Sequence, residues 1–221
     1  GVYVLIEAAV GGGIPIIEPL KQSLGGNKIK RVSGIINGTT NYILTRMAKD
    51  GVPYEEVLSE AQGLGYAEAD PAADVEGLDA ADKIAILSGL AFGGSIDRAG
   101  IPTKGITALQ SCDVDYATRL GYGVKLLAIA ERHNSIEEKD GSLPLALTVE
   151  PTLIPNDHPL AGVNGVNNAI LIEGDPIGQV MFYGPGAGAG PTASAVVADI
   201  LNIAGISQLS GSSTELDPLL A

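Results

Sequence analysis

The 221-residue sequence predicts an α+β fold, a mixed and largely antiparallel sheet with helices packed on one face. Helix signals concentrate in the first half of the chain, whereas the second half reads as short strands joined by turns, which implies antiparallel pairing. A symmetric βαβ repeat is absent. A chain of this length buries one substantial core, so a single domain is expected over residues 1–205, followed by a Ser-rich tail over 206–221.

Each element has a local reason. Residues 2–7 are apolar and β-branched and read as a strand. Residues 8–13 form a small-residue turn, and Pro15 opens a helix with Ile16, Ile17 and Leu20 on one face. Residues 29–36 are the next strand. Asn37-Gly38-Thr39-Thr40 supplies capping side chains for a helix through Tyr42, Ile43, Leu44 and Met47 that stops at Gly51. Pro53 starts a further helix, closed by Gly63 to Gly65. Residues 66–76 form an acidic loop with a proline, and residues 77–92 a long helix with Ile84, Leu87 and Leu90 at near-helical spacing. Strands follow at residues 123–132, 143–153, 168–173 and 178–183. Residues 184–190 are glycine-rich, and residues 191–204 form the final helix.

Composition narrows the function classes. A net charge of −13 leaves no basic stripe to neutralise phosphates, which argues against nucleic acid and anionic membranes. The longest apolar stretches, such as residues 84–92, read as too short to span a bilayer, and no basic-then-apolar signal opens the chain, so a cytoplasmic protein is expected. With 18% charged residues the surface is poor in charge, which predicts that a partner covers some of it. A lone Cys112 has no motif around it and is expected to be structural, and two scattered histidines, His133 and His158, do not make a zinc cluster. The chain opens directly on a strand-like run without a methionine, which reads as a cut from a longer polypeptide.

The window from Gly65 to Lys83 carries the chemistry. Glu68, Asp70, Asp74, Glu76 and Asp79 precede Asp82-Lys83. One reading is a solvated acidic loop leading into a helix whose first turn takes Asp79 for the macrodipole, with Lys83 as its i+4 partner. The other starts from the neighbours of Lys83: alanines before it and Ile84-Ala85-Ile86-Leu87 after it set an ammonium on a largely apolar helix, where desolvation favours the neutral amine and proton transfer. Asp79 then orients Lys83, and Glu68 and Asp74 form an anionic wall for a substrate ammonium.

From Ala61 to Lys83 the sequence resembles the homoserine dehydrogenase family: Ala three residues before Gly-aromatic-small, an acidic pair around Asp-Pro, then Asp-aliphatic-x-Gly-x-Asp-x-x-x-Lys. Residues 7–15, 34–44 and 184–193 agree with the same family in the same order. The resemblance implies the family's catalytic-domain fold and NAD(P)-dependent interconversion of L-homoserine and L-aspartate 4-semialdehyde. It implies Lys83 as proton donor to the aldehyde oxygen and base in reverse, Asp79 as its partner, Glu68 at the substrate amino group, and Gly38 and Thr39 lining the pocket. It further implies a homodimer through the sheet, and a dinucleotide-binding domain outside this chain, without which the chain alone is expected to be inactive. The runner-up is a non-enzymatic dimerisation or ligand-binding module that kept the fold; it would be expected to lose Glu68, Asp79 or Lys83, and all three are present.

Two glycine-rich stretches remain open. Residues 7–15 read as a tight turn before a Pro-started helix; the resemblance implies that backbone carbonyls there hold a monovalent cation such as sodium, with ligands at Glu7, Val10, Gly12 and Ile14. Residues 184–190 imitate a dinucleotide fingerprint, but no second strand or ribose-reading acid follows. They read as a packing turn or as a bare-backbone loop; the resemblance puts Gly188 near the nicotinamide and the helix after residue 185 toward the nucleotide domain.

Overall fold

The computed structural model describes residues 4–132 and 144–211. Five strands form one sheet in the order β3-β2-β1-β4-β5: β1 Lys28–Ile35, β2 Tyr122–Arg132, β3 Leu145–Pro155, β4 Asn167–Asp175 and β5 Gly178–Pro185. Every neighbouring pair is antiparallel, and an isolated bridge from Thr103 to Val149 is parallel. In the register, Val32 of β1 lies between Ala130 and Ile172. Because side chains alternate along a strand, these three share a face with Leu126, Ala128 and Ile170.

That face is covered by α1 Ile17–Lys21, α2 Gly38–Asp50, α3 Tyr54–Gly63, α4 Ala72–Val75, α5 Leu78–Phe92 and α6 Ser111–Arg119. They contribute Leu20, Ile43, Leu44, Met47, Val57, Val75, Ile84, Leu87 and Val114 to one apolar cluster with the strands. Full burial of a side chain such as Ile84 or Leu87 stabilises by about 1.5–3 kcal/mol. The opposite face holds a smaller cluster of Ile35, Leu127, Ala169 and Leu171 under Leu160 and Val163, beside a 3-10 turn at Pro159–Gly162. The expected α+β architecture with helices on one face is therefore present.

The caps of α2 are those expected. Asn37 Oδ1 accepts from the Thr40 N–H at 2.9 Å, and Gly51 turns left-handed at φ 68° as its N–H bonds Met47 O. Gly105 is required by a close approach: a Cβ there would lie 2.0 Å from Val75 O. Its bare Cα lets the Ile106 N–H reach Val75 O at 2.8 Å, while Lys104 N–H bonds Val149 O. The end of α4 is thereby fastened toward β3, fixing the turn that feeds α5.

Several expectations differ. Residues 4–6 are not a strand, and Glu7–Ala9 is a 3-10 turn; residues 2 and 3 lie outside the described residues. The segment is used for docking instead, since Glu7 N–H donates to Asp199 Oδ2 at 3.0 Å. The acidic loop contains a helical turn, α4, whose Val75 is buried in the core. Helix α6 was not expected, because only Val114 and Ala117 of its polar sequence are buried. Cys112, in its first turn, is exposed.

The last helix, α7 Ala189–Gly211, overruns the expected end, and the tail from 212 onward lies outside the described residues, as do His133 and residue 143. Residues 189–206 of α7 are long and apolar enough to cross a membrane by length and composition, contrary to the sequence reading. Interspersed Ala, Gly, Ser and Thr had hidden this by breaking the aliphatic run. Val196, Val197, Ile200 and Leu201 on α7 are exposed.

Candidate active site

The site lies where β1 hands over to α2. Asp79 and Lys83 stand one turn apart on α5, and Lys83 Nζ donates to Asp79 Oδ2 at 2.7 Å and to Ile36 O at 3.2 Å. Their side chains are 31% and 20% exposed, so the pair faces the edge of the core and not its interior. The ion pair is the one expected from the i+4 spacing. The ammonium is also drawn inward to a strand-end carbonyl.

Asn37, read from sequence only as a cap, joins the carboxylates. Its Nδ2 donates to Asp74 Oδ1 at 2.7 Å and to Asp79 Oδ2 at 3.0 Å. Asp74 sits in α4, so β1, α2, α4 and α5 all meet at this point. Among the described residues, three ionisable groups are linked here, two anionic and one cationic.

Gly38 and Thr39 open α2 directly beside Asn37. Thr39 Oγ1 donates to Tyr66 O at 2.6 Å, which ties the helix start to the loop carrying Glu68. The Tyr66 ring meets Tyr42 edge-on at 5.1 Å, and Gln62 Nε2 donates to Glu68 O at 3.0 Å. The Tyr42 hydroxyl donates to Glu60 at 2.5 Å; that bond and burial raise its pKa above the ordinary phenol value. The loop is thus held from both sides, while the Glu68 carboxylate is exposed and has no hydrogen-bond partner among the described residues.

The glycine-rich loop approaches from the far side. Asn168 of β4 is 1% exposed, and its amide lies against Gly186, where a Cβ would fall 2.1 Å from Asn168 Cγ; its Oδ1 is 3.7 Å from the position of a Cβ on Gly38. One buried asparagine therefore separates the start of α2 from the loop. Gly188, exposed at φ 121°, follows on that loop, and its carbonyl accepts from Thr192 N–H as α7 begins. Helix α7 is the last element among the described residues.

The turn carrying Glu7, Val10, Gly12 and Ile14 packs on the same loop. A Cβ on Gly12 would fall 2.3 Å from Gly186 O, and Gly13 N–H donates to Pro185 O at 3.2 Å. The Glu7 carboxylate is occupied by the start of α1, accepting from Ile16, Ile17 and Glu18 N–H at 2.6, 2.8 and 2.9 Å. Among the described residues no N–H donates to the carbonyls of Val10, Gly12 or Ile14, although all three residues are buried. Such carbonyls suit a hard cation.

Lys125 escaped the sequence reading. It is 4% exposed on β2, and Nζ donates to Asn41 Oδ1, Val163 O and Asn164 Oδ1. Burial pushes its ammonium down to about 8. A single charge inside the apolar run Val124 to Ala130 was the available signal.

The family model for homoserine dehydrogenase matches residues 15–201. Homoserine dehydrogenase of Synechocystis sp. is 62% identical over all of this chain, which covers 50% of that protein. The crystal structure of a homoserine dehydrogenase from Thiobacillus denitrificans superposes with a TM-score of 0.88 at 46% identity, over 96% of this chain and 48% of that one. A hyperthermophilic archaeal homoserine dehydrogenase mutant in complex with NADPH gives a TM-score of 0.74 at 32% identity, over 90% of this chain and 55% of that one. The chain spans about half the length of the curated relatives it matches.

Proposed function

Because this chain belongs to the homoserine dehydrogenase family, we propose that it forms the substrate-binding and proton-transfer half of an NAD(P)-dependent enzyme interconverting L-homoserine and L-aspartate 4-semialdehyde. The observation that carries the reading is the Lys83 ammonium. Two of its protons go to Asp79 Oδ2 and Ile36 O, which leaves the third for a substrate oxygen.

In the reducing direction Lys83 donates that proton to the aldehyde oxygen as charge develops there, and Asp79 keeps the ammonium aimed. In the oxidising direction neutral Lys83 removes the hydroxyl proton. Glu68 and Asp74 receive the substrate α-ammonium, and the backbone at Gly38 and Thr39 lines the pocket. The nicotinamide cofactor, bound mainly by residues outside this chain, supplies or accepts the hydride. Gly188 fits it because an exposed glycine lets backbone lie flat against a ring. The unbonded carbonyls of Val10, Gly12 and Ile14 support a sodium site, with Glu7 completing the turn.

Two copies associate through the sheet face opposite the helices, where Met181 and Tyr183 lie beside Leu171 and Ala169 and are exposed. The enzyme works in the cytoplasm. The test is oxidation of L-homoserine by the full-length protein, with NAD and with NADP. Lys83→Ala is expected to lower kcat by about 10²–10⁴-fold, the usual worth of a positioned proton donor. A near-normal kcat in that variant would rule out the assigned role.

A further inference from the structure

We propose that Asn37 is a positioning residue for the proton-transfer pair, a neutral clamp that cross-links Asp74 to Asp79 and so sets how firmly Lys83 holds its proton. The geometry uses the whole amide. Nδ2 donates to one carboxylate at 2.7 Å and to the other at 3.0 Å, and Oδ1 accepts from Thr40 N and Thr40 Oγ1, both at 2.9 Å. Both donors and both lone pairs are therefore satisfied at a residue 5% exposed. The orientation is fixed by chemistry: a flipped amide would face nitrogen to the Thr40 N–H and oxygen to two carboxylates.

Capping alone does not require asparagine. Aspartate and serine cap a helix about as well, and neither offers two N–H donors. The donors matter because Asp74 and Asp79 both touch one nitrogen atom, so two like charges stand a few ångströms apart. A lysine or arginine here would neutralise them and erase the negative balance that suits a substrate ammonium. An amide relieves the repulsion without adding charge. It also divides the acceptor Asp79 Oδ2 between Asn37 Nδ2 and Lys83 Nζ, which weakens the grip of that oxygen on the lysine proton. From the same β1–α2 junction, Ile36 O holds Lys83 itself.

This inference rests on the reading of Lys83 as the proton-transfer group, and two measurements on the full-length protein separate the two. The first is the rate of Lys83 acylation by acetic anhydride at fixed mildly alkaline pH, followed by peptide mass spectrometry. Asn37→Asp keeps the capping oxygen but removes the donors and adds a carboxylate, and Lys83 acylation is expected to slow about tenfold as the added negative charge holds the ammonium proton more tightly. Asn37→Ser keeps a cap without adding charge, and a slowing of about threefold is expected. Should Asn37→Asp fail to fold, Asn37→Ser carries the test. Wild-type acylation rates in the folded variants would overturn the proposal, since a residue that only caps α2 would not move them. The second measurement is homoserine oxidation against pH, whose rising limb is expected to move upward in Asn37→Asp with KM changed less than kcat. An inactive wild-type protein whose acylation still responds to Asn37 would reject the enzymatic reading and retain the clamp.

Discussion

Lys125 Nζ donates to Asn41 Oδ1 at 3.2 Å, which joins the second strand of the sheet to the first turn of α2. Burial places this ammonium at about 8 in the folded chain, against an ordinary 10.5. Below pH 8 both folded and unfolded chains hold the proton; between about 8 and 10.5 only the unfolded chain does. The contribution of this group to stability therefore rises with pH across that window, by up to about 3 kcal/mol. Denaturant titrations of wild type and Lys125→Met at intervals from pH 7 to 10 check it. The wild-type stability minus that of the variant should grow as pH rises, and a flat difference would refute the assignment.

Glu68 predicts the opposite kind of change, in binding and not in stability. Its carboxylate is exposed and makes no hydrogen bond among the described residues. Glu68→Gln should leave the melting temperature nearly unchanged and raise KM for L-homoserine by about 10–100-fold, the worth of one charge-assisted hydrogen bond. Steady-state kinetics of the full-length protein decide the matter; an unchanged KM would remove Glu68 from the ammonium site.

Gly105→Ala should be costly behind the site. The new Cβ would meet Val75 O and Glu76 Cα, both backbone atoms that cannot swing aside. A loss of about 1–3 kcal/mol in denaturant titration is expected, with a fall in homoserine oxidation as Asp74 shifts with the end of α4. Gly26→Ala, where nothing lies within 4 Å, is the matched control and should be near neutral.

Glu7→Gln tests the carboxylate at the start of α1. Gln keeps the shape but loses the charge that accepts three N–H groups. A destabilisation of about 1–3 kcal/mol is expected by the same titration. A change within experimental error would mean that those bonds are replaced by water without loss.

What could be read from sequence was whatever a local pattern dictates. The strand, cap and stop of the β1–α2 unit follow from residues 29–36, Asn37 and Gly51, because alternation, an amide oxygen and a left-handed glycine each act within a few residues. The Asp79–Lys83 pair is likewise a spacing along one helix. What escaped depends on distant partners. Residues 4–7 have the composition of a strand, yet Glu7 binds α1 through its carboxylate and Asp199 through its N–H. Asn37 looked like a cap and is one; its second task exists only because α4 and α5 deliver carboxylates to the same nitrogen. Lys125 is stabilised by oxygens from α2 and from the segment after the 3-10 turn, which no window around β2 contains.

The contact between Gly12 and Gly186 has a thermodynamic consequence. With backbone on backbone, neither turn can move toward the other without displacing it. A ligand that sharpens the geometry of one turn thereby prepays part of the ordering of the other. Linkage would make such an effect reciprocal: any factor that ordering of one turn lent to binding at the other would be returned in full.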